Sequence, residues 1–192
     1  MTGSADTGIR FRSGAGRLCL DFVRTHRYRG TPDAVEELPD AAALRSWIQQ
    51  LGPFADAAPA DTSVRDGRAL REAIYELVTS GPACCRPAVR QRLNRFALLA
   101  SPAPSLSTSG SLEWHADDPV SATFSLLARD ALDLVASPQF ARVRQCAGSR
   151  CSALFVDTSR PGTRRWCSMD VCGNQAKKTA LRAQAERSPR SP

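Results

Sequence analysis

Four of the chain's seven cysteines fall within CAGSRCSALFVDTSRPGTRRWCSMDVC, residues 146–172, as two C-x4-C pairs separated by fifteen residues. Two short loops can each aim two sulfurs at one point while the spacer returns the chain, which is what four thiolates around a tetrahedral zinc ion require. In a segment this short and polar, a bound ion would replace a core too small to form alone. An iron–sulfur cluster also takes four thiolates, but the clustered spacings of ferredoxins are absent. Disulfides would need an oxidising compartment, and residues 1–17 lack the apolar run of an export signal. Four unrelated buried thiols would be a coincidence here. The pattern favours one Zn2+ per chain on Cys146, Cys151, Cys167 and Cys172 and leaves those alternatives open.

Charge is divided as unevenly as sulfur. Residues 1–141 carry 15 Lys/Arg against 16 Asp/Glu, a balance of −1, whereas residues 142–192 carry 11 against 3, a balance of +8. The usual reason for such asymmetry is a polyanionic partner; a merely solubilising tail is the bland alternative. No stretch approaches eighteen apolar residues, so no membrane partner is expected, and the chain reads as cytoplasmic.

The 192 residues divide into a flexible leader (1–16), an α+β body (17–137), a cysteine finger (142–187) and a disordered tail (188–192). In the body, RLCLDFV (17–23) is a short apolar run suited to a buried strand. Asp40 stands where an N-cap belongs, Leu44, Trp47, Ile48 and Leu51 follow at helical spacing, and Gly52 falls at the C-cap. Residues 64–79 carry a second apolar stripe, stopped by Ser80-Gly81-Pro82. Pro87 opens a third helix. Alternation between Leu106 and Ala116 points to a hairpin, and Asp118-Pro119 starts a fourth helix ending at Ser137-Pro138. In the finger, ARVRQ and ALFV read as short strands around the first cysteine pair, and helix formers run on from Ala176 after the second. The fold class is α+β: a mostly helical N-terminal body with a short strand and hairpin, plus a C-terminal treble-clef-like four-cysteine zinc finger.

Catalytic chemistry finds little support. His26 and His115 have no nearby carboxylate or thiol at a triad or metal spacing, and Asp130 and Asp133 read as a solvated helix edge. Cys19 reads as an inert buried thiol, and Cys84-Cys85, as neighbours, do not readily form a disulfide. No phosphate-cradling Gly loop occurs. An enzyme is not expected.

The run Cys146…Cys151, LFVDTSR, RRWCSM, then CGN and KK resembles the CGNR zinc finger of bacterial proteins. Upstream, LCLDFV and ALREAIYELV resemble the ABATE domain that this family carries N-terminally. Members are described as candidate stress-induced transcription regulators, so the resemblance implies zinc on the four cysteines and a regulatory role. Two positions depart from the family pattern: Gln175 stands where the signature Arg belongs, and Arg24 where an Asn is usual.

The expected partner is duplex DNA. Arg160, Arg164 and Arg165 on the spacer, and Lys177, Lys178 and Arg182 on the last helix, have the chemistry of phosphate contacts. Asn174 or Gln175 could read an adenine edge. Trp166 could stack on a base or belong to the finger core, and Asn174 could instead cap the helix. The alternative function is a zinc-stabilised RNA-binding or protein-interaction module. The body could sense an effector or form a homodimer, and no motif names either partner.

Overall fold

The computed structural model describes residues 10–187, and within them six α-helices alternate with three two-stranded antiparallel ribbons. Helix α1 (Leu18–Val23) leads into the ribbon β1 (His26–Arg27) and β2 (Val35–Glu36). Then come α2 (Ala41–Leu51), α3 (Asp61–Ser80) and α4 (Pro87–Ala97). The hairpin β3 (Ala103–Leu106) and β4 (Leu112–His115) precedes α5 (Pro119–Ala136). The ribbon β5 (Val143–Gln145) and β6 (Leu154–Val156) and helix α6 (Asn174–Arg187) complete the described residues.

Helices α2 to α5 arise as their local sequence dictates. The Asp40 carboxylate accepts the Ala43 N–H at 2.9 Å, closing the start of α2, and Asp118 accepts the N–H groups of Val120 and Ser121 at the start of α5. Each cap satisfies amides that have no partner within the helix and is worth about 1 kcal/mol. The apolar stripes of α3, α4 and α5 meet each other and α1. Phe22 lies edge-on to Trp47 at 4.8 Å, and Phe96 to Phe124 at 5.8 Å. Such ring pairs add about 0.5–1.5 kcal/mol beyond the area they bury.

Expectations for the N-terminal segment require correction. The apolar run expected as a strand is helix α1, in which Cys19 to Val23 are all buried. A run buried on every side shows no period, so strand and helix cannot be told apart from its sequence. A distant carboxylate decides the matter: Asp130 on α5 accepts the Cys19 N–H at 2.8 Å, while within the segment Asp21 of α1 accepts the Ala15 N–H at 2.9 Å. Asp130 is therefore not part of a solvated edge, whereas Asp133 is exposed as expected; both bind the Arg17 guanidinium. In the described part of the leader, Phe11 and Ala15 are buried in the core. Its residues 1–9, like the tail 188–192, lie outside the described residues.

Body and finger share one core. Phe155 of β6 is fully buried, and the Val156 N–H donates to the Ala15 carbonyl at 2.8 Å. A Cβ at Gly16, whose φ is +88°, would stand 3.1 Å from Val156 Cβ, so only glycine fits both the turn and the close approach. Further links are the Arg29 N–H to the Ser152 hydroxyl at 2.9 Å and an exposed Arg150–Asp33 pair.

Candidate metal centre and nucleic-acid interface

The four cysteines come from two knuckles. Cys146 follows β5 and donates its N–H to Ala153, and the Cys151 N–H returns to the Gly148 carbonyl, both at 2.9 Å. A Cβ on Gly148 would stand 3.1 Å from Cys151 Cβ and 3.6 Å from the Cys146 and Cys172 sulfurs, so the absence of a side chain keeps the first knuckle tight. On the second knuckle, the Ser168 side chain accepts the Val171 N–H at 3.3 Å and starts a π-helical turn (Met169–Gly173) that carries Cys172 and runs directly into α6. The knuckles are joined by the Ala147 N–H to the Arg165 carbonyl at 2.8 Å and the Cys167 N–H to the Cys146 sulfur at 3.3 Å.

All four sulfurs lie within 4.8 Å of one another, and Cys151–Cys167 and Cys167–Cys172 stand 3.7 Å apart. Thiolates bound at about 2.3 Å to a tetrahedral zinc would be separated by roughly 3.8 Å. Electrostatics agree with the geometry. The hydrogen bond from Cys167 pushes the Cys151 thiol down to about 5. That same bond holds the Cys167 thiol well above its ordinary value, and burial, then the charge of Cys151, pushes Cys172 up to about 11. Four adjacent sulfurs cannot all ionise against their mutual repulsion unless a cation neutralises them. An all-sulfur tetrahedral donor set fits Zn2+.

Around the centre, the structure separates arginines that hold the finger together from cations that face outward. Arg164 is half-buried: its guanidinium donates to the carbonyls of Trp166 and Cys167 and lies 4.6 Å from the Phe155 ring. This is a clamp inside the finger and differs from the phosphate contact expected from its place in the spacer. Arg165 is exposed and stacks on Trp166 at 4.9 Å, and Arg160 is exposed. Trp166 is half-buried, and a Cβ on the adjacent Gly173 would meet its ring at 3.2 Å, so it belongs to the finger core.

Helix α6 is exposed from Asn174 to Gln184 apart from half-buried Ala176. Lys177, Lys178 and Arg182 have no ion pair or hydrogen bond among the described residues. Asn174 does not cap the helix; its side-chain amide donates to the Asp170 carbonyl at 3.2 Å. At about 100° per residue, Asn174 shares the outward side with Lys178 and Arg182. Gln175, Ala176, Thr179, Ala180 and Ala183 instead face a groove of about 360 Å³ against the first knuckle and the body. The two amides therefore do not share a face.

Sequence reasoning missed Asp157. It is fully buried and accepts the N–H and O–H of Ser159 and the N–H of Arg164, while Arg142 donates to the carbonyls of Asp157 and Ser159. The Asp-Thr-Ser sequence is a recognisable side-chain turn signal, so this brace was within reach. Among the described residues of the body, other side-chain clusters include the ion pairs of Arg71 with Glu36 and Glu72 and, on the exposed hairpin, the Ser105 hydroxyl 2.7 Å from His115 Nε2.

Over residues 16–138 the chain matches the ABATE family, described as "Putative stress-induced transcription regulator", and over residues 142–185 it matches the CGNR zinc finger. A comparison with curated proteins found no match. The finger match and the four convergent sulfurs together support one Zn2+ in the chain.

Proposed function

The chain belongs to the ABATE family and carries a CGNR zinc finger, and from this premise we propose that it is a cytoplasmic transcription regulator that binds duplex DNA through the outer side of α6. Cys146, Cys151, Cys167 and Cys172 hold the zinc, which joins the two knuckles and fixes where α6 starts. Lys177, Lys178 and Arg182 contact phosphates, with Arg160 and Arg165 on the spacer extending the cationic surface. Asn174, on the same side, is the amide placed to read a base edge. The observation that carries this reading is a helix on which Lys177, Lys178 and Arg182 lack partners among the described residues, in a region with a balance of +8. With four of its seven thiols committed to metal, the chain acts by binding and not by catalysis.

Counterion release sets the test. Binding of labelled genomic fragments to the zinc-loaded protein should weaken with salt, log K falling by roughly 0.9 per log unit for each phosphate contacted. Replacing Lys177, Lys178 and Arg182 together by Ala should weaken all sequences alike and flatten that slope by up to about three units. Substituting Asn174 should instead erase about 1–3 kcal/mol of preference between sites and leave the slope intact. A triple variant that binds as tightly as the parent at every salt concentration would make RNA or a protein the partner of the finger.

A further inference from the structure

Between the finger and the β1–β2 ribbon lies a small pocket whose charged walls are all basic: Arg12, Arg24, His26, Arg27 and Arg29, with no carboxylate among its lining residues. Three of these arginines pair through their terminal nitrogens only. Arg24 donates Nη1 to the Ser13 carbonyl and to Asp21, Arg27 uses Glu37 and the Tyr28 hydroxyl, and Arg29 spends both terminal nitrogens on Glu72. In all three the Nε–H is buried and has no hydrogen-bond partner among the described residues, whereas His26 Nδ1 lies 3.6 Å from the Glu72 carboxylate. Buried donors left unpaired are costly, and three around one pocket need an explanation. The Arg24 side chain is only 4% exposed. Arg12 adds a guanidinium with no ion pair or hydrogen bond among the described residues.

We propose that this pocket binds the oxyanion head, carboxylate or phosphate, of a small organic ligand whose apolar body lies in the adjoining groove beside α6. The pocket itself offers about 20 Å³, room for one small polar group. Arg12, Tyr28 and Cys151 are walls of both the pocket and the groove of about 360 Å³. That groove is lined by Ala147, Val171 and the small residues of the inward side of α6, together with Gln175 and with Arg150, which is paired with Asp33, so it takes a largely apolar group. At the shared wall, Tyr28 holds a left-handed φ of +53°, a conformation that a bulky side chain seldom adopts outside sites where the surroundings impose it. Planar guanidinium groups favour carboxylate and phosphate over other anions because their N–H donors match the oxygen spacing. One wall belongs to the body and the other to the finger, so an occupant stabilises their docked arrangement.

The site does not depend on what the outer side of α6 contacts, and its test is made without nucleic acid. Thermal unfolding and calorimetric titration of the full-length zinc-loaded protein are followed with phenylacetate, phenyl phosphate, inorganic phosphate and benzyl alcohol. Saturable stabilisation by phenylacetate or phenyl phosphate, and none by benzyl alcohol, is the expected result, and the better of the two probes identifies the head group. Arg12→Ala should weaken that binding at least tenfold by removing charge. Ala180→Trp, on an exposed helix position, should do so by filling the groove. Inorganic phosphate binding as tightly as phenyl phosphate would overturn the apolar part of the site. The absence of saturable binding by either organic anion, or binding unchanged in both variants, would overturn the whole proposal.

Discussion

Helices α5 and α6 have similar lengths and opposite surroundings. The 18 residues of α5 start on an Asp118 cap and bury Phe124, Leu127, Ala131 and Leu134 against α1, α3 and α4. Over the first eleven residues of α6 no side chain is buried, and the helix rests on the turn that carries Cys172. Tertiary burial supports the first helix. An isolated helix the length of α6 is marginal in water, so its order comes from the metal-organised knuckle beneath it and from favourable local composition. The same contrast separates body from finger: one encloses apolar side chains, the other encloses sulfur. They meet at β6, whose Phe155 belongs to the body's core while β5–β6 frames the first pair of ligands.

Metal removal tests this contrast most severely. A structural zinc contributes on the order of 10–16 kcal/mol of apparent binding energy to small finger domains. The Cys167→Ser/Cys172→Ser double variant should therefore lose its zinc by elemental analysis and unfold the knuckles, seen as a changed Trp166 environment in fluorescence. Because β6 completes the body's core, the body should melt at a lower temperature as well. A body with unchanged melting would show that the two regions are energetically separate; a variant that retains a full equivalent of zinc would refute the ligand assignment.

A second experiment compares one large apolar side chain on each side of the junction. Phe155→Ala empties a fully buried site and should cost about 3–5 kcal/mol in denaturant unfolding, without altering any sulfur. Leu181→Ala, at 56% exposure on α6, should stay within about 0.5 kcal/mol. Comparable losses from both would mean that α6 packs against the molecule more closely than its exposure shows.

The smallest effect concerns the carboxylates that hold the ribbon β1–β2 to α3. Burial tends to raise the Glu72 carboxyl, but hydrogen bonds and charge from Arg29 and Arg71 outweigh it and bring the group down to about 2. A folded value depressed below 4.5 contributes stability that is fully present above pH 4.5 and is lost as pH falls towards 2. Glu72→Gln should thus cost about 1 kcal/mol at neutral pH, this pair being half exposed and screened. The gap from the parent should narrow below pH 4.5 in unfolding measured across pH. A gap that stays constant would assign the effect to shape rather than charge.

Much of this organisation is legible without coordinates because its causes are local. The C-x4-C pairs bring four sulfurs within reach of one ion through short loops, and α2 to α5 are marked by their own caps, stripes and prolines. The uneven charge is a property of the chain itself. Folding decided what depends on residues far apart. RLCLDFV is a helix because Asp130, more than a hundred residues away, accepts the Cys19 N–H. Arg164 turns inward because Phe155 offers it a ring and the second knuckle offers it carbonyls. Gln175 and Asn174 are adjacent in sequence yet face different surroundings once the body stands on one side of α6. The basic pocket joins Arg12 and the 24–29 segment to residues 151–153. No local pattern encodes that meeting, since a shared cavity arises only when separate segments bury their faces against one another.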